Sequence, residues 1–522
     1  MKTPYNNYVL HMLPRILSNL DRDPDSPTYG SFDRNHWHYK IRDFSSAILQ
    51  QSALALALAY SVEFEGNIYH KNEMIKRYAI AGIMYWAKIQ NNDGSFEEYW
   101  ANEKSIPATG FSLYAICEAS EVLGFRNETV DEAIRKSARF IGKRTEEGAL
   151  NQEMASIAGM MFAAKSLNDD NLKRAAKKRF DSFLSKQSKE GWYSEYNGAD
   201  VGYLTITLDY MIRYHELTKD IRAKDSARKI IGFISYFIHP DGSLGGEYCT
   251  RNTEYFLPYG FEFLKKDESI ANSILNKLME NINREYLFAS IDERYMLHYV
   301  TSSFLKSIKI FDNRGKKIKL PCETSFEKYF EDAMIFIKST PKYYFICSLM
   351  KGGVYRVMDK SRNTFHTDTG YRIYQNDKIF ISEWPLRNNH TISKGSIVVS
   401  SYFKKRGFFK MTPLKQTILK FSSKFLGILP VLLSKRMLIY GKDKRDDGMR
   451  LIRRIDLTND KITVTDMINS QDKKVLARRM TGLSMRHTAS SRFFQTNSLS
   501  NRIPSDSYEI LGEKKVKMEM SF

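Results

Sequence analysis

Four copies of a short glycine-containing phrase constrain the fold of this chain more than any other feature. They are DGSFE at Asp93, EGALN at Glu147, EGWYSE at Glu190 and DGSLGGE at Asp241. The separations are 54, 43 and 51 residues, which fits two helices plus two turns. Self-similarity at such a period predicts stacked helical hairpins rather than a compact bundle. Glycine suits these turns because it accepts a positive φ angle without a Cβ clash.

The segment around these phrases, residues 42–310, has the spacing of amphipathic helices. Apolar residues recur at three and four positions, as in Ile230, Phe233, Ile234 and Phe237. Hairpins that close on themselves would form an (α/α) toroid with the turns gathered around a cleft, and an open solenoid is the alternative. The Trp, Tyr, Asn, Arg and carboxylate side chains in the turns favour a toroid with a carbohydrate groove. The competing interpretation is that these turns only cap helices.

The pattern changes near residue 320, where short β-branched or aromatic segments are bounded by Gly, Asn and Asp. Examples are residues 343–349, 378–382, 396–403 and 460–466. They predict antiparallel strands and hence a β-sandwich. We therefore predict an α+β multidomain chain. It has an N-terminal extension at 1–41 that contributes to the cleft, an (α/α) toroid at 42–318, and a β-sandwich at 319–522 with a basic helical insertion at about 404–445.

The net charge of this 522-residue chain is +20, and it is concentrated in one place. Residues 401–454 carry fifteen Lys or Arg against three Asp, a local balance of +12. Within them, residues 413–440 have helical apolar spacing flanked by lysines, and Pro430 is expected to divide the segment. One interpretation is a helix on an anionic membrane surface. The other is a helical hairpin packed on the sandwich with a solvated basic face.

Several classes of protein are disfavoured by the rest of the sequence. The four cysteines are far apart and have no metal-ligand spacing, so we expect no zinc site, no disulfide framework and no cofactor. No run of 18 apolar residues and no cleaved-leader pattern occurs, which favours a cytoplasmic protein, peripheral at most on the inner membrane face. A basic face without a nucleic-acid-binding motif predicts no nucleic-acid partner.

Two turn segments carry a resemblance to a known superfamily. EGWYSEYNGADVGYL at 190–204 and GGEYCTRNTEYFLPYGFE at 245–262 resemble turns of heparinase II/III-like and alginate-lyase-like polysaccharide lyases. The phrase GSFDRNHWHYKIRDF at 30–44 is similar to heparinase-like proteins of bacterial surface-polysaccharide clusters. The resemblance implies a toroid plus sandwich that cleaves an acidic, uronic acid-containing polysaccharide by β-elimination, in exopolysaccharide or surface-glycan metabolism.

The chemistry of β-elimination explains why such residues would be present. A base removes the proton beside a carboxylate whose charge is offset by donors, and an acid then protonates the leaving oxygen. By resemblance, Asn151 matches the family's Asn and Tyr203 its Tyr, with Tyr196 a second candidate. Asn151 could instead cap the helix that follows. The candidates for substrate binding are Gln152, Arg251, Asn252, Glu254, Trp192, Trp37 and Arg34.

The sequence departs from the family pattern in two ways. Position 152 is Gln where the family has His, so the proton must be taken by a tyrosine or by a sandwich histidine. His366 is our choice, with His390 and His487 as alternatives. The family's metal-binding His-x-His-x-Asp pattern is missing, which predicts no metal. Two alternatives remain open. One is a glycoside hydrolase using two of Glu195, Asp200, Glu247 and Glu254. The other is a catalytically silent glycan-binding or assembly protein at the membrane.

Overall fold

A computed structural model describes most of the chain. The described residues are all of 1–522 except 255, 283–293, 295, 384–387, 407–409, 427–428, 431–432, 435–444, 472–473, 482–502 and 504. The predicted catalytic alternative His487 and the last residues of the predicted membrane segment, 435–440, lie outside the described residues. Helices occupy the first part of the chain and strands the second.

The first part is built of helical hairpins. Its helices are α1 (Asn6–Asn19), α2 (Arg34–Trp37), α3 (Ser52–Ser61), α4 (Glu73–Lys88), α5 (Ile106–Leu123), α6 (Glu128–Gly142), α7 (Leu150–Leu167), α8 (Asp170–Leu184), α9 (Val201–Thr218), α10 (Ile221–Ile234), α11 (Tyr259–Leu264), α12 (Ser269–Ile282) and α13 (Thr301–Ile310). A 3₁₀ turn, Ala47–Gln51, precedes α3, and a π turn, Met296–Val300, leads into α13. Helices such as α5 and α9 are buried over most of their length, whereas α6 and α8 bury one face only.

The buried helices form a closed ring. Each of α3, α5, α7, α9, α11 and α13 contacts the next, and α13 returns to contact α3. The amphipathic helices pack outside them. Helix α1 joins this body, since Tyr8 stacks 4.2 Å from the ring of Phe304 on α13 and the Tyr5 hydroxyl donates to Glu262 at 2.7 Å. Because the ring closes, the fold is an (α/α) toroid and not an open solenoid.

The recurring glycines hold the turns against the outer helices. Gly94 has φ +87°, and a Cβ there would lie 2.3 Å from the carbonyl oxygen of Lys136 on α6. Gly191 has φ +102° and the same relation, also at 2.3 Å, to Lys229 on α10. Any larger residue would clash with backbone in both places. At these two phrases the Gly therefore permits the same close approach of a turn to an outer helix.

The second part is one antiparallel sheet folded into two layers. Its strands are β1 (Phe326–Phe330), β2 (Ile335–Ser339), β3 (Tyr343–Ser348), β4 (Val354–Asp359), β5 (Thr364–Gln375), β6 (Lys378–Ile381), β7 (Asn389–Ser393), β8 (Ser396–Lys405), β9 (Arg445–Leu457), β10 (Lys461–Asn469), β11 (Val475–Thr481), β12 (Ser507–Ile510) and β13 (Glu513–Ser521). The order is β1-β2-β3-β4-β5-β6-β8-β9-β10-β13, with β7 on β8 and β11 between β5 and β12.

Strands β2 to β5 are buried on both faces. Alternate residues, such as Ile346 and Met358, join the toroid core, while their neighbours Phe345 and Val357 pack against Val399 and other residues of β8 to β10. Because side chains alternate across a strand, one face meets the toroid and the other forms the sandwich interior. The predicted toroid plus β-sandwich is confirmed.

A helix lies in the chain between β8 and β9, within the predicted insertion at about 404–445. This helix, α14 (Pro413–Leu426), contacts the toroid and the N-terminal segment. The last toroid helix ends at Ile310 and the first strand begins at Phe326, so the predicted boundary at 318/319 lies between them. Among the described helices, none is long and apolar enough to cross a membrane.

Candidate functional site

The second and third turns are joined side by side at Asn151 and Glu195. The Asn151 backbone nitrogen donates to one carboxyl oxygen of Glu195 at 2.7 Å, and its side-chain Nδ2 donates to the other at 2.7 Å. Ala149 and Glu195 also form an isolated β-bridge. Asn151 is the second residue of α7 and its side chain does not cap that helix, so the capping interpretation is wrong.

Glu195 is completely buried without a salt-bridge partner among the described residues. Burial raises the pKa of this carboxyl well above its ordinary value, the two hydrogen bonds from Asn151 oppose the shift, and nearby Asp200 adds to it. The group therefore favours its protonated form at pH values where an exposed Glu is ionised.

Tyr196 follows directly and has an unusual backbone. Its φ is +54°, a left-handed conformation that is uncommon for a large side chain, and its backbone nitrogen donates to Gly148 at 2.6 Å. The Arg251 guanidinium carbon lies 3.6 Å from the centre of its ring. Tyr196 is partly exposed whereas Arg251 is buried. Strained residues of this kind are concentrated at functional sites.

Asp200 connects the third turn to the fourth. As the N-cap of α9 it accepts from the Tyr203 backbone nitrogen at 3.2 Å. The Thr253 hydroxyl donates to that same oxygen, and the other carboxyl oxygen accepts from the Arg251 backbone nitrogen at 2.8 Å. Burial raises the pKa of Asp200 despite these donors. Tyr203 is thus fixed in the first turn of α9, where 8% of its surface is exposed.

Side chains of the sheet form hydrogen bonds to the fourth turn. The Lys351 ammonium, in the β3–β4 turn, donates to the Asn252 side-chain oxygen at 2.7 Å and to the Cys249 carbonyl at 3.0 Å. Arg356 on β4 donates to Glu254 at 2.9 Å. Asn252 and Glu254 therefore bind the sheet through Lys351 and Arg356.

Asn151, Glu195, Tyr196, Asp200 and Arg251 form one cluster where the turns meet. The structure does not bring His366 to this cluster. His366 pairs with Val357 across β4 and β5, and directly paired residues share one face of a sheet. Val357 belongs to the sandwich interior, whereas Arg356 and Phe365 face the toroid. His366 is therefore on the wrong face to reach Tyr196, and we withdraw it as a catalytic candidate. His390 lies on β7 with its Nε2 2.8 Å from the Tyr329 hydroxyl.

The other predicted residues divide by exposure and location. Gln152 lies beside Asn151 and is partly exposed. Trp192 is buried in the toroid core and donates to Glu190 at 3.0 Å. Trp37 donates to the Asn19 carbonyl at 2.9 Å, and the Arg34 guanidinium lies 5.2 Å from the Tyr39 ring. Those last contacts stay within the N-terminal segment, so of these residues Gln152 lies nearest in sequence to the cluster, directly after Asn151.

Lys351 and Arg356 are not among the predicted site residues, although each has a signal in the sequence. Arg356 is a charged residue inside the otherwise apolar run VYRVM, and Lys351 precedes two glycines in LMKGG. Tyr99 in the first turn is a third such residue; it is 46% exposed and has the Arg294 guanidinium 4.5 Å from its ring. No group of three or more metal-ligating side chains occurs among the described residues.

A closed helical toroid followed by an antiparallel sandwich is the architecture of a class of polysaccharide lyases, and the chain shares that fold. It superposes on a Paenibacillus xanthan lyase with a TM-score of 0.53 and 12% identity, over 91% of this chain and 46% of that one. For the Streptomyces coelicolor A3 chondroitin AC lyase, solved with chondroitin sulphate, the TM-score is 0.59 at 8% identity, over 92% and 69%. This chain thus spans about half the length of the xanthan lyase. No known family profile and no characterised sequence matches it.

Proposed function

We propose that this protein is a polysaccharide lyase-like enzyme that cleaves an acidic, uronic acid-containing glycan by β-elimination. The observation that carries the proposal is Tyr196, a partly exposed tyrosine in a left-handed conformation with a guanidinium against its ring. It lies where three turns meet at one end of the toroid. The shared fold with lyases of acidic glycans supports the substrate class.

The proposed reaction divides the work between Tyr196 and its neighbours. A base takes the proton from the carbon beside the uronate carboxylate, the bond from the adjacent carbon to the glycosidic oxygen breaks, and an acid returns a proton to that oxygen. Tyr196 exchanges these protons, with Tyr203 as the second candidate. Gln152 donates to the substrate carboxylate. Arg251 and the Asn151–Glu195 pair are positioning residues.

Burial of the carboxyls disfavours the hydrolase alternative. A glycoside hydrolase needs two carboxyl groups facing the scissile bond. Glu195 and Asp200 are 0% and 1% exposed and accept hydrogen bonds from neighbouring turns, while Glu254 is paired with Arg356. These contacts support a structural role for the three carboxyl groups, which hold the turns and the sheet together, rather than a role in hydrolysis.

A silent glycan-binding protein is the second candidate function. Gln152 stands where the resembling family has a titratable His, and a carboxamide cannot take a proton. Asn151 and Arg251 are 2% and 1% exposed, which limits direct contact with a substrate. The proposed function has two further parts, which apply to either candidate. The protein acts in surface-glycan metabolism, and it associates with an anionic membrane through residues 413–440. The membrane contact is argued below.

The test is incubation of the full chain with a panel of polyuronates, glycosaminoglycans and uronate-containing bacterial exopolysaccharides. A lyase produces an unsaturated uronate that absorbs in the near ultraviolet. We expect Tyr196→Phe to abolish that signal while glycan binding is kept.

Tyr193→Phe is the matched control. Tyr193 lies in the same turn, but its hydroxyl is 2.9 Å from Ser226 on α10 and fully buried. New reducing ends without ultraviolet absorbance would replace the lyase by a hydrolase. Binding without either product would favour the silent glycan-binding protein, and equal turnover by Tyr196→Phe and the parent protein would remove Tyr196 from the mechanism.

A further inference from the structure

Helix α14 exposes a continuous apolar stripe. Its members are Leu414, Ile418, Phe421 and Phe425, which are 70%, 57%, 60% and 77% exposed. Their spacing of four, three and four residues places them within an arc of about 60° on a helix that turns about 100° per residue. Large aromatic and aliphatic side chains exposed together on one face mark an interaction surface.

The opposite face of α14 is attached to the toroid. Leu419 and Ser423 are buried, and the Ser423 hydroxyl donates to the Ala101 carbonyl in the first turn at 3.4 Å. Lys420 forms an ion pair with Asp43 in the N-terminal segment. Because this face is fixed by the toroid, the apolar stripe is directed away from the body of the protein.

Basic residues flank the stripe on both sides. Lys415 and Lys424 are exposed and lie about 90° to either side of its centre. Residues 404–442 contain ten Lys or Arg and no Asp or Glu. Apolar exposure continues beyond the helix at Leu429 and Leu433, which are 59% and 54% exposed. An apolar stripe between lysines fits a lipid boundary, where the apolar groups enter and the ammonium groups remain with the headgroups.

We infer that α14, with Leu429 and Leu433, docks the protein on an anionic lipid bilayer beside the turn end of the toroid. Charge decides between possible occupants. A second copy of this surface would bring two sets of lysines together, whereas an anionic bilayer neutralises them. Contact through α14 is peripheral, since the stripe is one face of a helix of 14 residues, too short to cross a bilayer. The inference is independent of the catalytic proposal.

The experiment is flotation of the full chain with vesicles of phosphatidylcholine, with and without phosphatidylglycerol, at low and high salt. We expect binding to the anionic vesicles only, weakened by salt because headgroup attraction is screened. Replacing two large apolar groups, as in Phe421→Ser with Phe425→Ser, should lower the bound fraction about tenfold or more. Lys415→Glu with Lys424→Glu should abolish the preference for phosphatidylglycerol.

Matched controls use equally exposed residues elsewhere. Ile68 and Ile221 are 76% and 55% exposed, and their double change to Ser should leave binding unchanged. Lys173→Glu with Lys178→Glu on α8 makes the same change in net charge away from α14. Equal binding by the α14 variants and these controls would overturn the inference. So would no binding by the parent protein, or a dimer in light scattering that the Phe variants convert to monomer. Tyr196→Phe should bind vesicles normally, which separates this test from the catalytic one.

Discussion

The two ends of helix α9 bury charged groups in opposite ways. In its C-terminal half, Arg213 pairs with Asp209 and with Glu118 of α5, and Lys306 of α13 also pairs with Glu118. At its N-terminal end, Glu195 and Asp200 accept hydrogen bonds from amides and hydroxyls and have no salt-bridge partner among the described residues. At the first end two cations pair with two buried carboxylates and with the partly exposed Glu216. At the second end Glu195 and Asp200 have no such cation among the described residues.

The pKa directions follow this difference. Burial alone would raise the pKa of Glu118, but Lys306 and Arg213 overcome it and hold the pKa below the ordinary value. Glu195 is equally buried, and its pKa is raised because hydrogen bonds from Asn151 only partly offset desolvation. A balanced ionic cluster stabilises the ring, whereas the raised pKa of Glu195 favours its protonated form between the second and third turns. Perturbed groups of the second kind are typical of functional sites.

Arg213→Met tests the structural end and should have the largest effect. It leaves two buried carboxylates with one cation, and we expect the free energy of unfolding to fall by about 3–5 kcal/mol. Denaturant unfolding measures this. The control is Arg222→Met, whose exposed guanidinium pairs with Asp181 and Asp220 and should contribute about 1 kcal/mol or less. If both variants lose the same stability, the cluster does not hold the ring together.

Glu118→Gln and Glu195→Gln should change the pH dependence of stability in opposite senses. The lowered pKa of Glu118 gives stability that is present above its unfolded value of about 4.5 and is lost as pH falls. The raised pKa of Glu195 has the opposite effect, because the buried group resists ionisation. Relative to Glu195→Gln, the parent protein therefore loses stability as pH rises above the unfolded value of about 4.5. The loss is at most about 1.4 kcal/mol per pH unit. Unfolding free energies measured from about pH 2 to 8 cover the Glu118 window below the unfolded pKa and the Glu195 window above it, and so check both signs. Parallel curves for both variants would contradict the comparison.

Arg251→Lys tests the contact between the guanidinium and Tyr196. A lysine keeps the charge but loses the flat face that stacks on the ring. We expect kcat/KM on the responsive glycan to fall by about tenfold to a hundredfold, since a desolvated cation–π contact contributes about 2 kcal/mol. A fall in kcat with little change in KM would show that Arg251 positions the tyrosine. A rise in KM alone would show that it only binds substrate.

Tyr193→Phe should have the smallest effect. It removes the hydrogen bond to Ser226 on α10, which contributes about 1 kcal/mol to stability. Activity and its pH profile should be unchanged, because the ring stacks on Phe183 at 4.4 Å in the toroid core. A loss of turnover here would extend the site beyond the cluster around Tyr196 and weaken the contrast between the two ends of α9.

Much of the fold could be read from local patterns. The repeated Gly phrases marked the helical hairpins, since positive φ at Gly94 and Gly191 is a local requirement that the next outer helix enforces. The change to β-branched runs near residue 320 marked the sandwich, and the apolar spacing with lysines marked the helix at 413–426. Each of these signals depends on residues close together in the chain.

Only the tertiary structure decided the rest, because it depends on contacts between residues far apart in sequence. Closure of the ring needs α13 to meet α3. The lateral bond between Asn151 and Glu195 joins residues of two repeats, so neither turn alone predicts it. His366 illustrates the same point: its residue type suggested chemistry, but the β4–β5 register placed it on the face away from the toroid. The sequence determined which residue types gather in the turns, and packing determined which of them meet.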